Sequence, residues 1–310
     1  MVLYHCFNYF YHDRDILRYL HFLPPSFIFI TGVLVTNVYL ARYDIGDARM
    51  HRRLFVRGAK LLLIFIGLNL LVHTLFSSNY NRRELGLDFL FDHLDSIFLT
   101  GEERAAVFEV LLPISYLLLL SALLLKGCRL FRYFLPTVAG GGIAVCLVLA
   151  FLGRLVFNFE MLSMGLLGLV VGFVSLRQIE RVTGHVVVLA LVYLAYVAAI
   201  SRWYPTYAIN IIGIGLTLLL LYGLGASLGT RSFLPRRVVV LGRYSLLAYI
   251  VQIAVLQTLF RGLRYLAFGG DNLAVGLIAT SVLTVAIIEL VEYLRARWSP
   301  LDRAYRALFA

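Results

Sequence analysis

Residues Arg52–Phe76 read RRLFVRGAKLLLIFIGLNLLVHTLF. The stretch opens on four cations, Arg52, Arg53, Arg57 and Lys60, and then turns apolar, relieved mainly by Asn69 and His73. About 20 predominantly apolar residues are what an α-helix needs to cross the hydrocarbon core of a bilayer. Backbone N–H and C=O groups that face lipid find no water, so a lipid-facing run must be helical to satisfy them internally. The stretch therefore predicts a transmembrane helix over 54–76 with its basic end at the headgroups.

The same pattern recurs outward from it. Further spans are predicted at about 22–40, 106–125, 136–153, 161–176, 185–201, 209–228, 238–260 and 273–294. The composition agrees: 61% of the 310 residues are hydrophobic and only 15% charged, and the mean hydropathy is +0.87. Soluble domains run roughly 45–50% apolar and about 25% charged. An ordinary soluble domain, a disordered chain and a disulfide-stapled miniature are all excluded. Met1–Phe10 amounts to half a span, ends in Tyr11, His12, Asp13, Arg14 and Asp15, and lacks the charged start and cleavage site of a signal peptide. The chain is expected to begin inside its first transmembrane helix. The expectation is an all-α polytopic membrane helical bundle, nine full transmembrane helices plus a truncated first one, forming one transmembrane domain over 1–310.

The net charge of +11 belongs to loops, not to a nucleic-acid face, since no soluble module carries it. Sorting the 28 Lys and Arg by alternate loops puts nineteen on one side, including Arg42, Arg49, Arg52, Arg129, Arg177, Arg236 and Arg306. Nine fall on the other, including Arg14, Arg18, Arg82, Arg154, Arg202 and Arg261. The bias predicts a cytoplasmic 41–53 loop and C-terminus, and places His5 toward the outer face. Cys6, Cys128 and Cys146 show no CxxC spacing, so neither a disulfide framework nor a zinc site is expected. The outer loop 77–105 carries Glu84, Asp88, Asp92 and Asp95 at helical spacing opposite Leu87, Leu90, Phe91, Leu94 and Phe98. It reads as an amphipathic helix at the interface: a solvated lid, or a lid over an acceptor site.

Polar groups inside spans are expensive and are functional candidates by default. Here they are His5, Asn37, Asn69, His73, Glu109, Asn210, Gln252, Gln257 and Glu289. His5 sits among Tyr4, Asn8 and Tyr9, with Asp13 and Asp15 beyond. A neutral imidazole at the membrane boundary takes a proton from a hydroxyl or amine as that group attacks an acyl carbon, and a carboxylate can orient it. The structural alternative is an interfacial histidine bonded to a helix end. The Arg52, Arg53, Arg57, Lys60 cluster reads either as a phosphate grip for a nucleotide-like donor such as coenzyme A or as the positive-inside signal alone. No Walker A loop, strand-borne GxGxxG or HExxH is present. Pro24 and Pro25 open a helix, and Gly32 lets another helix come close. The Gly140–Gly142 run reads as a packing notch or kink, and Gly165, Gly168 and Gly172 as small-residue spacing.

Three stretches carry a resemblance to multi-pass membrane acyltransferases. They are MVLYH ending at His5, LRYLHFLPPSFIFITGVLV (Leu17–Val35) followed by RRLFVRGAKLLLI (Arg52–Ile64), and LGRYSLLAYIVQI (Leu241–Ile253). The chain resembles the heparan-alpha-glucosaminide N-acetyltransferase catalytic-domain family and the related acyltransferase-3 proteins over nearly its whole length, in span order. It departs in two places: the Asp-x-x-Arg-Gly-like start of the first span is absent, and Gln252 stands where a histidine is common. Glutamine hydrogen-bonds but is no base near neutral pH, which leaves His5 for the catalytic role. The resemblance implies transfer of an acyl group, acetyl above all, from cytoplasmic acyl-CoA to a hydroxyl or amine of a glycan or lipid-linked sugar. It implies no bound cofactor and no metal, with acyl-CoA (acetyl-CoA) as donor substrate. The donor is expected near Arg52, Arg53, Arg57 and Lys60. Tyr9, Asp13, Arg18, His21, Glu109, Ser245, Tyr249 and Gln252 are expected around the acceptor. Membrane lipid and a glycan or lipid-linked sugar are the expected partners, nucleic acid is not, and the location is a bacterial plasma membrane. The competing expectation is a transporter or flippase of a glycolipid or polyprenyl-linked sugar.

Overall fold

The computed structural model describes residues 1–11, 14–76, 91–101, 107–129, 131, 133–203, 206–228, 239–265 and 273–309. All of their regular structure is helical. Helices α1 (Val2–Cys6), α2 (Arg14–Leu17), α3 (Leu23–Leu34), α4 (Ala48–Phe76), α5 (Leu111–Gly127), α6 (Phe134–Phe151) and α7 (Phe157–Val171) lead. They are followed by α8 (Leu176–Thr183), α9 (Val186–Arg202), α10 (Tyr207–Leu228), α11 (Ser245–Tyr265), α12 (Leu273–Arg297) and α13 (Ser299–Phe309). Helix α1 runs on as a π-helical turn, Phe7–Tyr11, and α3 as another, Val35–Tyr39.

Among the described residues, Ala48–Val72, Phe134–Phe151, Tyr207–Ser227, Ser245–Gly262 and Leu273–Arg297 are long and apolar enough to cross a membrane. Helices α7 and α8 pass together but are bent by 102° at their junction. Leu23–Tyr39, Leu111–Gly127 and Val186–Arg202 are shorter apolar helices. All of these lie where the sequence predicts spans. Their outward faces carry large bare side chains such as Phe151, Val187, Leu63 and Ile278. Apolar surface on this scale is foreign to soluble monomers and suits a multi-pass membrane protein.

The boundaries follow local chemistry. Helix α4 starts where Asp47 caps it, its Oδ1 accepting the Arg49 N–H at 2.8 Å. Pro24 and Pro25 sit in the first turn of α3, where proline gives up no helical hydrogen bond. Helix α5 begins five residues after the predicted start because Phe108 is left-handed (φ 63°), a conformation that no helix continues through. Glu109 is therefore in a turn and not in a span. The predicted 161–176 span ends early: after Gly172 the chain turns into α8, an amphipathic helix with the sequence LRQIERVT. Of the predicted 77–105 amphipathic helix, Glu84, Leu87, Asp88 and Leu90 lie outside the described residues, and Asp95–Thr100 form a π-helical turn.

The chain divides into two units. One consists of Pro24–Val182 and Pro205–Gly215. Within it α4 packs along α5, α6 along α7, and α5 against α7. The other consists of Met1–Leu23, Thr183–Tyr204 and Leu216–Ala310. There α11 and α12 pair, and α1 packs against both.

Candidate functional site

The unit that holds α1, α11 and α12 contains a buried polar seam. Two anchors fix its register. Phe10 fills the space over Gly276 of α12, where a Cβ would collide with the phenyl ring. At the same end, Gln257 Nε2 of α11 donates to the Tyr9 hydroxyl at 3.2 Å, and the Tyr9 and Phe260 rings meet edge-on at 5.7 Å. At 1.5 Å rise per residue, the seam reaches His5 about one turn further along α1. The His5 ring lies 6.1 Å from that of Tyr249 and 5.4 Å from that of Tyr4. Helix α1 thus runs parallel to α11 and antiparallel to α12.

Four buried polar atoms in these three helices make no close hydrogen bond: His5 Nε2, Gln252 Nε2, Thr284 Oγ1 and Thr280 Oγ1, the last lying beside the Cys6 thiol of α1. Thr280 and Thr284 are four residues apart, so they share one face of α12. The α1–α12 register puts that face alongside the first residues of α1. A buried polar group left unbonded costs about 1–3 kcal/mol, and such groups on three packed helices make the seam the candidate site. An imidazole nitrogen, an amide and two hydroxyls have the chemistry to hydrogen-bond a hydroxyl or an amine, and the imidazole can accept a proton. They offer no ligand set for a metal, and no group of three or more His, Cys, Asp or Glu converges among the described residues.

The remaining predicted acceptor residues divide. Tyr9, Tyr249 and Gln252 belong to the seam. Ser245 is exposed one turn before Tyr249. Arg18 is engaged elsewhere: its guanidinium stacks over the Tyr19 ring and donates to the Tyr19 hydroxyl at 3.2 Å, and that hydroxyl reaches Ser201 of α9 at 3.0 Å. His21 sits half-buried in the turn before α3. Glu109 belongs to the other unit, and Asp13 lies outside the described residues. Thr280 and Thr284 stand out less in the sequence than buried amides and ionisable groups, because a threonine hydroxyl in a helix can bond its own backbone carbonyl. Two threonines spaced i, i+4 in an apolar helix were the available signal.

The four cations expected to hold the donor do not close around one cavity. Arg53 stacks on Tyr43 and donates to its hydroxyl. Arg57 donates to the Tyr39 hydroxyl at 3.3 Å, and Lys60 is half-buried further along α4. Arg52 alone lines a cleft of about 610 Å3, together with Gly46, Ala48, His51, Phe55, Ala122, Leu123, Lys126 and Arg129.

Two of the other polar residues predicted inside spans, Asn69 and Asn37, make structural ties, as do two hydroxyls elsewhere in the same unit. Asn69 is fully buried, donating to the Phe65 and Val107 carbonyls at 3.0 and 2.8 Å while accepting the Val107 N–H at 2.7 Å. Asn37 donates to the Gly172 carbonyl at 2.8 Å. Buried Ser163 and Tyr207 hydroxyls pair at 2.6 Å. No protein-family model, curated protein or solved structure matches the chain.

Proposed function

We propose that this protein is an integral-membrane acyltransferase in which His5 is the general base. The observation that carries the reading is the unpartnered, buried Nε2 of His5 in a seam whose other open groups recognise hydroxyls. In the reaction, Nε2 takes the proton of an acceptor O–H or N–H as that atom attacks the thioester carbonyl of acyl-CoA. The tetrahedral adduct collapses, the C–S bond breaks, and the coenzyme A thiolate leaves and recovers the proton from the imidazolium. Gln252, Thr280 and Thr284 hold the acceptor, and Tyr249 packs against the imidazole and limits its orientation. The acceptor is a glycan or lipid-linked sugar reaching the seam. The donor arrives from the side carrying the basic loops, taken as cytoplasmic together with the C-terminus.

The test is transfer of labelled acetyl from acetyl-CoA in membranes expressing the full chain. Label should enter an extractable glycan or lipid. His5→Ala should reduce the transfer by about 10²–10⁴-fold, the usual contribution of a general base, with insertion unchanged. Full activity of that variant removes His5 from the chemistry. Absence of transfer with several acyl donors and correctly inserted protein removes the enzyme reading.

One observation favours a second reading. The 102° bend between α7 and α8 interrupts a helix as transporters do around a substrate. A transporter of a glycolipid or polyprenyl-linked sugar moves its substrate across proteoliposomes with no acyl-CoA present, and His5→Ala leaves no acyl transfer to lose.

A further inference from the structure

We propose that the cleft between α4 and α5 is a headgroup site for an anionic phospholipid, with Arg52, Lys126 and Arg129 on the phosphate and the acyl chain laid along Phe55 and Leu123. The proposal is independent of the acyltransferase reading.

Three cations, Arg52 of α4, Lys126 of α5 and Arg129 of the turn after α5, line the cleft, and no carboxylate lines it. None of the three forms an ion pair among the described residues. The nearest carboxylate in sequence, Asp47, is already held by Arg49, at 3.2 Å. Arg129 lies flat over Gly46, where a Cβ would come within 2.8 Å of the guanidinium carbon, so the glycine makes room for the charge. His51 supplies a second, independent mark of a ligand site. It is buried, bonds the Ile45 carbonyl through Nε2 at 2.9 Å, and leaves a buried Nδ1 without partner in the cleft lining.

The opposite wall is hydrocarbon. Phe55 and Leu123 are 57% and 64% exposed, one turn inward from the cations on helices long or apolar enough to lie in a bilayer. Charge at one end and bare hydrocarbon at the other match the headgroup level of a membrane. The lining also decides between phosphate-bearing ligands. It contains no Asp, Glu, Asn, Gln, Ser or Thr, hence no side chain that reads a ribose or the edge of a base. A nucleotide-like ligand would lie there with its base and sugar hydroxyls unrecognised, whereas a phospholipid needs only cations and apolar contact.

The test is native mass spectrometry of the full chain released from detergent, titrated with dioleoyl-phosphatidylglycerol or with dioleoyl-phosphatidylcholine. Phosphatidylglycerol should be retained at least tenfold more strongly than phosphatidylcholine. Lys126→Gln with Arg129→Gln should weaken that retention about tenfold or more, since each cation near the surface matters individually. Arg243→Gln, which removes an exposed cation in the other unit, should leave it unchanged. Arg129→Gln alone, with an unchanged thermal midpoint and a smaller loss of retention, separates lost binding from lost folding. Inorganic phosphate and coenzyme A serve as competitors. Equal retention of the two lipids, or equal loss in Arg243→Gln, overturns the proposal. Displacement of the lipid by coenzyme A or by phosphate at matching concentration assigns the cleft to a soluble anion and also overturns it.

Discussion

Gly32 of α3 and Gly165 of α7 meet backbone to backbone. A β-carbon on Gly32 would overlap the Gly165 carbonyl oxygen and lie 2.7 Å from the Leu169 nitrogen. One turn along, a β-carbon on Gly168 would overlap the Phe29 carbonyl, and one on Gly172 would overlap the Thr36 hydroxyl. The obstacles at Gly32 and Gly168 are main chain, which cannot swing aside as a side-chain tip can. Gly32→Val and Gly168→Val should each cost about 1–3 kcal/mol or more, the range for overpacked cores. Gly140→Ala and Gly141→Ala are the contrast, because nothing among the described residues lies within 4 Å of an added Cβ there. Those changes should be neutral or raise stability by up to about 1 kcal/mol through helix propensity. Thermal midpoints of the four variants in detergent decide the matter, and equal midpoints would refute the close approach.

Asn69 makes a second stability prediction. Its amide satisfies both the N–H and the C=O of Val107, the residue before left-handed Phe108. Asn69→Ala strands both main-chain groups and should cost about 2–4 kcal/mol, near the sum of two desolvated, unbonded groups. If Asn69 served a substrate instead, the variant would keep its midpoint and lose only activity.

Much of this was legible in the sequence where one helix carries its own signal. Long apolar runs located the apolar helices, five of them long enough to cross a membrane among the described residues, and the glycine spacing in α7 announced a close helix neighbour, which proved to be α3. Gly140 and Gly141 carry the same kind of signal, but nothing among the described residues lies within 4 Å of a Cβ added there, because spacing shows that a surface is smooth and not which way it faces; of that run only Gly142 abuts a neighbour, an added Cβ meeting Leu166 at 3.4 Å. Tertiary pairing was not legible. Arg52 shares its cleft with Lys126 and Arg129, some 75 positions away along the chain, whereas its near neighbours Arg53 and Arg57 turn to Tyr43 and Tyr39. The left-handed Phe108, which delays α5, had no glycine or asparagine to announce it. Thr280 and Thr284 pass as ordinary helix residues until α1 is laid beside them.

The joint between α12 and α13 should depend on pH. Arg295 donates to Asp302 Oδ1 through Nε at 3.1 Å and Nη2 at 2.6 Å, and lies over the Tyr305 ring at 3.7 Å. Arg306 reaches Asp302 Oδ2 at 2.5 Å. The Arg295 guanidinium first, and then Arg306, hold the Asp302 carboxyl below its ordinary value of 3.8. A carboxyl with a depressed folded-state pKa contributes stability above the unfolded pKa and loses it as pH falls through the folded one. The joint should be intact at neutral and mildly acidic pH and should loosen only below about 3.8. Trp298, at the joint, reports this once Trp203→Phe removes the other tryptophan. Its emission should stay constant down to about pH 4 and then shift, and Asp302→Asn should show the shifted emission at every pH. A transition centred near neutrality would contradict this account.

His5 gives the sharpest separation of stability from function. Its buried Nε2 bonds nothing, which costs about 1–3 kcal/mol relative to a satisfied or apolar group. His5→Leu removes the unbonded nitrogen and keeps most of the volume beside Tyr249. It should leave the thermal midpoint unchanged or raised. Gln257→Leu, in the same seam, strips the bond to the Tyr9 hydroxyl and should lower stability by about 0.5–1.5 kcal/mol, the net worth of a hydrogen bond. A histidine held for packing would instead show a loss in His5→Leu at least as large as in Gln257→Leu. Sites that break local rules at a cost to stability are where function is expected. A stable His5→Leu protein that no longer transfers acyl groups is therefore the outcome that distinguishes a base from a structural histidine, since loss of activity together with loss of fold would follow from either.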